Sequence, residues 1–243
     1  MRGPSSRDYL EMKWDYPVFA PDAGKKVDGT FSPKARKALS REEALAFIAG
    51  DDPRPLLVLR ECAVCNGTDE ALLKGGVDNE KTFLLSAWFH CVKLPVDVME
   101  KDHPFNALFT QDEPEHLFIC SVDGSGHDPL ESQTSRKELW GSMVDLLDEE
   151  YEGKAKTSLK KLQALLDKLD AQDQRLAEVT GRLDEVLEEE GPKSRKVPKL
   201  EKKVAKEKEE LVKLKNQVTQ AYRLELRRQR EAARAAEQGD SAQ

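Results

Sequence analysis

Cys62 and Cys65 stand at C-x-x-C spacing directly after the apolar run Leu56-Leu57-Val58-Leu59. A thiol pair at the carboxyl end of a buried strand, in a chain without secretory features, reads first as a redox dithiol. The spacing suits that chemistry, because two sulfurs this close can trade an intermolecular disulfide for an intramolecular one rapidly. A metal reading is weaker. Zinc needs four convergent ligands, and His90, His103 and His127 show no ligand spacing with the cysteines. No nucleotide-binding glycine loop, paired-carboxylate site or serine triad is present, and Gly124-Ser125-Gly126 reads as a turn. No cofactor is implied.

The elements that must position the thiols occupy the middle of the chain. Its 243 residues are 38% hydrophobic and 35% charged, against about 25% charged in an ordinary globular chain. The charge is split by sign: residues 1–150 hold 17 Lys+Arg and 28 Asp+Glu, a net of −11, and residues 151–243 hold 22 and 18, a net of +4. Four cysteines, an amino terminus with no apolar core and no run of eighteen apolar residues point to a cytoplasmic protein without a membrane span.

Residues 1–39, rich in Pro, Gly, Ser and Lys, read as an irregular arm whose aromatics Tyr9, Trp14, Tyr16 and Phe19 could pack on the central domain. Ser40-Arg41-Glu42-Glu43 is a capping box opening a helix that Gly50 and Pro53 stop. A strand over 55–60 precedes the C-x-x-C, and a short helix over 68–74 ends at Gly75-Gly76. A helix over 78–86 should turn Phe83, Leu84 and Leu85 inward. Strands come next over 89–98 and 117–122, with one or two helical turns over 104–109 between them; Asp123-Gly124 closes the second strand. Ser135-Arg136-Lys137-Glu138 is a second capping box, opening a helix with Leu139, Trp140, Met143, Leu146 and Leu147 facing in. The alternation predicts an α/β fold with at least one parallel crossover. It sets Cys91 at the sheet edge opposite Cys62 and leaves Cys120 as a small buried hydrophobe.

Residues 40–150 resemble a thioredoxin-like domain. The resemblance lies in the order of the elements, in Cys62-Ala-Val-Cys65, in the strand Phe89-His-Cys-Val-Lys-Leu-Pro-Val-Asp97 and in Leu117-Phe-Ile-Cys-Ser-Val-Asp-Gly124. It implies that Cys62 sits at a helix amino terminus, where unpaired N–H groups stabilise a thiolate, with Cys62 as attacking thiolate and Cys65 as resolving thiol. The chain departs from the family at several places. Glu61 replaces the usual tryptophan, and its charge should disfavour the Cys62 thiolate. Leu56 stands where members often have a buried carboxylate. Glu115 takes the place of the substrate-facing cis-proline, with Pro114 one residue early. His116 would then lie near the dithiol as a candidate proton shuttle or as a plain strand-end histidine.

From about Lys154 the chain becomes heptad-patterned helix. Leu162, Leu169, Leu176 and Leu183 form one series, and Leu159, Leu166, Asp173, Thr180 and Leu187 the other, with a polar break at Asp173. The pattern resumes after a loop over 191–198, with Val197, Val204, Leu211 and Val218 in one series and Leu200, Glu207, Leu214 and Ala221 in the other. Two arms of about 37 residues, about 55 Å each, predict an antiparallel coiled-coil hairpin over 151–238, with 239–243 a disordered tail. Pairing of the arms between two chains is the rival arrangement.

Two functions fit. One is a thioredoxin-like thiol-disulfide oxidoreductase using Cys62 and Cys65, with Glu61, Pro114 and His116 as auxiliary residues and the coiled coil as an arm for partner docking or oligomerisation. The other is a redox-inactive thioredoxin-fold scaffold whose coiled coil mediates protein–protein interaction. Nucleic acid is not the expected partner, because among the aromatics only Tyr222 interleaves with Arg223, Arg227, Arg228 and Arg230.

Overall fold

The computed structural model describes residues 2–19, 37–62, 72–109, 114–130 and 133–240. These form a mixed five-stranded sheet with helices on both faces, followed by two long packed helices. In chain order the elements are α1 (Pro4–Arg7), β1 (Trp14–Asp15), α2 (Arg41–Ala49), β2 (Leu56–Arg60), α3 (Glu80–Ser86), β3 (His90–Leu94), β4 (Leu117–Cys120), β5 (Asp128–Leu130), α4 (Arg136–Glu150), α5 (Ala155–Glu190), α6 (Val197–Ala221) and α7 (Arg227–Asp240). The strand order is β1-β3-β2-β4-β5. β1 and β2 both run parallel to β3, while β4 runs antiparallel to β2 and β5 antiparallel to β4.

Both capping boxes form. Ser40 and Ser135 each accept from the backbone N–H of the glutamate three residues on, and each glutamate returns the bond. The turn after β4 requires its glycine: Gly124 has φ 84°, and a Cβ there would lie 2.5 Å from Leu45 Cδ1.

Some elements differ from what the pattern predicts. β3 ends at Leu94, because Pro95 cannot donate a ladder hydrogen bond and Val96–Met99 turns as a 3-10 segment. α3 begins after a 3-10 turn at Val77–Asn79, and its inward face includes Thr82 rather than Phe83. β1 lies within the arm read as irregular; its two residues pair Trp14 with Cys91 and Asp15 with Val92, too short a stretch to show alternation. Of the helix expected over 68–74, only Leu72, Leu73 and Lys74 fall among the described residues, and the first two are helical.

All five residues of β2 are buried, so the sheet is covered on both faces. Leu56 and Val58 pack with Ala44, Leu45, Ile48, Phe105 and Phe118 on the α2 side. Leu57 and Leu59 pack on the other side with Leu84, Leu85, Leu139 and Met143, in a core that continues through Leu159, Leu162, Leu166 and Leu169 of α5 to Val218 of α6.

α5 and α6 pack against one another, and Gln172, itself buried, donates across the pair to the carbonyl of Glu207 at 2.9 Å. The polar break at Asp173 faces the amino-terminal segment. Its carboxylate accepts from the N–H of Ser5 at 2.9 Å and the hydroxyl of Ser5 at 2.8 Å. Arg2 joins Glu80 of α3 to Asp167 and Asp170 of α5.

The two arms are unequal, 36 residues against 25. The second stops because the sheet domain takes its backbone groups. The Tyr222 carbonyl accepts from the Trp88 indole at 2.8 Å, and the Glu225 carbonyl accepts from Glu152 N–H at 2.8 Å. Pro198 falls within the first turn of α6 rather than in the loop, a position where its missing N–H costs nothing. The last helix reaches Asp240, into the segment read as a tail. No described helix is long and apolar enough to cross a membrane.

Because one core spans sheet and helix pair, they should unfold together. Leu166→Ala, at a fully buried position, should lower the unfolding free energy by about 2–5 kcal/mol. Denaturant curves followed by tryptophan fluorescence and by far-ultraviolet circular dichroism should stay coincident.

Candidate functional site at the carboxyl edge of the sheet

β2 and β3 run parallel and end at the same edge. The ladder extends one step beyond Arg60, where the Glu61 N–H donates to the Leu94 carbonyl at 2.9 Å. Cys62 comes next at this edge, half-buried and disulfide-bonded; Cys65 lies outside the described residues. Glu61 sits against Lys93, with Nζ 2.8 Å from Oε1. The ammonium offsets the negative charge that the sequence places beside Cys62, although a pair this exposed is worth under about 1 kcal/mol.

β4 enters the same edge from the other side. Leu59 pairs with Leu117, and the Arg60 N–H donates to the His116 carbonyl at 2.7 Å. Of the residues singled out in the sequence, Glu61 and Cys62 follow β2 at this edge, Pro114 is joined to it through the Arg60 side chain, and His116 lies one step into the ladder.

Two groups at this edge make contacts that the sequence reading did not give. Arg60 is buried at the end of β2, with its guanidinium carbon 5.7 Å from the centre of the Phe109 ring. It donates to the carbonyls of Pro114 at 3.1 Å and Glu115 at 3.4 Å. A cation thus holds the backbone of residues 114–115 beside the end of β2, and an arginine closing four apolar residues was its only trace in the sequence. The second group is Glu115, whose side chain is 2% exposed with Oε1 2.9 Å from Nε2 of His127. No aligned hydrogen bond reaches either carboxylate oxygen, so the contact is electrostatic, an ion pair whenever the imidazole is protonated. Burial pushes the Glu115 carboxyl up, but His127 and the neighbouring backbone outweigh it and hold the group below its ordinary value. No pattern in the sequence joins residues 115 and 127; the β4–β5 hairpin does.

The other cysteines are at the far edge. Cys91 pairs with Leu57 and Cys120 with Leu56, on opposite faces of the sheet. Both are free and buried, and burial pushes each thiol up to about 12. Among the described residues no group of three or more His, Cys, Asp or Glu side chains could hold a metal ion.

No protein-family model, curated protein or solved structure matches the chain.

Burial separates the thiols chemically. Native protein treated with iodoacetamide at pH 8 after reduction should leave Cys91 and Cys120 unmodified, and both should react once the chain is unfolded. The Glu115 contact makes a pH prediction. A carboxyl held low in the folded state adds stability above its unfolded value of about 4.3, and that stability is lost as pH falls through the lower folded value. His127→Gln should cost about 3 kcal/mol at pH 7 by stranding a buried carboxylate. The difference from wild type should shrink as the pH is lowered to 3, below the unfolded carboxyl value, as measured by urea denaturation at pH 7 and pH 3.

Proposed function

We propose that the chain is a thioredoxin-like thiol-disulfide oxidoreductase, with Cys62 as attacking thiol, Cys65 as resolving thiol and the two long helices as an arm for protein association. The observation that carries this reading is the position of Cys62. It lies two residues beyond the end of the central strand of a β1-β3-β2-β4-β5 sheet, at an edge shared by β3, β2 and β4, while both other described cysteines are buried at the opposite edge. Parallel β3-β2 pairing followed by the antiparallel β4–β5 hairpin agrees with the order of elements behind the thioredoxin-like resemblance. The buried Arg60 also supports it, by holding the 114–115 backbone beside the end of β2, where an extended client segment would run.

In the reaction the Cys62 thiolate attacks one sulfur of a client disulfide, forming a mixed disulfide and releasing the client's second sulfur as a thiolate. The Cys65 thiolate then attacks Cys62 Sγ and expels the remaining client sulfur. Two electrons pass to the client, the two protons of the dithiol end on its thiols, and Cys62 and Cys65 are left joined.

A scaffold without redox turnover is the second reading. It is favoured by Glu115 standing where the family has its substrate-facing proline. Equilibration of the full chain in glutathione buffers, followed by alkylation and mass mapping, separates the two. The oxidoreductase reading expects Cys62 and Cys65 to oxidise together at one midpoint as a two-electron couple, and a Cys65→Ser variant to retain a client as a mixed disulfide on Cys62. Failure of both thiols to oxidise reversibly leaves the scaffold.

A further inference from the structure

Residues 2–7 lie across α3 and α5 and are held there by carboxylates. The Arg2 guanidinium is bidentate on Glu80 of α3, with Nε 2.6 Å from Oε2 and Nη2 3.0 Å from Oε1. Its Nη1 donates to Asp167 at 2.6 Å and to Asp170 at 2.7 Å on α5. The Gly3 N–H donates to Asp170 at 2.8 Å. The fit at this residue is close, because a Cβ on Gly3 would lie 2.9 Å from Oδ2 of Asp173. The N–H and the hydroxyl of Ser5 both donate to Asp173, and the Ser6 hydroxyl donates to the Leu166 carbonyl at 3.1 Å.

Apolar packing plays no part in this hold. Pro4 is exposed, and among the described residues neither apolar core draws on residues 2–7. From Tyr9 onward the anchoring changes in kind. Tyr9, Leu10, Met12 and Trp14 pack on the core that sheet and helix pair share, and β1 then joins the sheet. The chain thus passes at Asp8 from a stretch held by charge to one held by burial. Segments with few buried apolar contacts open locally, at lower free energy than the core. The charge-held stretch is also a wall of three cavities. Arg2 lines one of about 540 Å³ with Trp140 and Gln163, and one of about 230 Å³ with Gly75 and Phe83. Gly3 and Pro4 line a third, of about 470 Å³, with Leu176, Ala177 and Thr180. Glu80 borders both of the first two, and Asp170 borders the first and the third.

We propose that residues 2–7 form a charge-held strap that detaches as a unit about Asp8 while the sheet and the helix pair stay folded, joining the three cavities into one cleft along α3 and α5. Ser5 is where its hold is most sensitive to charge. Both donors of that residue face one carboxylate, so a negative charge in place of the hydroxyl meets Asp173 directly and Asp170 one turn away, and like charges repel. The strap shares no group with the dithiol site described above.

The test is amide hydrogen exchange of the full chain, followed by nuclear magnetic resonance for wild type, Arg2→Gln, Ser5→Asp and the double variant Ser5→Asp/Asp173→Asn. In wild type the amides of Ser5 and Arg7 should exchange faster than those of β2. Arg2→Gln and Ser5→Asp should each speed exchange at Ser5 and Arg7 by about tenfold to a hundredfold, the loss expected for one charge-assisted hydrogen bond. The double variant, which takes away the opposing charge, should recover most of the protection. The amides of β2 should keep their wild-type rates throughout. Strap amides that exchange only as slowly as β2, or variants that speed both regions equally, would make residues 2–7 part of the cooperative core and overturn the proposal. Wild-type protection in Ser5→Asp would overturn it as well, by removing the control by charge.

Discussion

The rest of the structure depends on β2 being buried on both faces. Its five residues, Leu56 to Arg60, expose almost nothing, so each face of the sheet needs a full apolar layer. α2 and the 3-10 turns around Phe105 and Leu108 supply one. The short α3 and the single long α4 leave the other incomplete, and the base of the helix pair completes it with Leu159, Leu162, Leu166 and Leu169. Burial of side chains of this size contributes about 1.5–3 kcal/mol each. The helix pair is thus fastened to the sheet at its base and runs outward from there. Along α5 the buried leucines stop at Leu169, and near the tip Leu187 is 36% exposed.

The same constraint shapes the edge that carries Cys62. A strand buried on both faces can present chemistry only where it ends, and β2 ends beside Leu94 and across from residues 114–116. Polar groups at such an edge must find partners or stay wet. Arg60 is satisfied by two carbonyls, Glu61 by Lys93, and Glu115 by the charge it shares with His127. Cys62 follows at a rim whose neighbouring charges Glu61 and Lys93 are paired with one another.

What could be read in the sequence was local. Both capping boxes and the apolar run of β2 are signals written within a few residues, and each has its counterpart in the structure; of the heptad leucines of α5, Leu159, Leu162, Leu166 and Leu169 are buried and Leu187 is exposed. The opposite placement of Cys62 and Cys91 followed from one parallel crossover. What could not be read depends on residues brought together from far apart. β1 forms because Trp14 and Asp15 meet the free edge of β3. α6 ends early because Trp88 and Glu152 claim the carbonyls of Tyr222 and Glu225. The Glu115–His127 contact needs the β4–β5 turn, and the bonds from Asn79 to the Leu72 and Lys74 carbonyls and from Trp140 to Thr82 join three separate segments. Asp173 looked like a flaw in the seam, yet it meets the amino-terminal segment at Ser5.

The measurement closest to the central claim is a non-reducing peptide map of the full chain after oxidation by glutathione disulfide. The account predicts a single linked pair, Cys62 with Cys65, and free thiols at Cys91 and Cys120. A link from Cys62 to either of those residues, or no link at all, would contradict it.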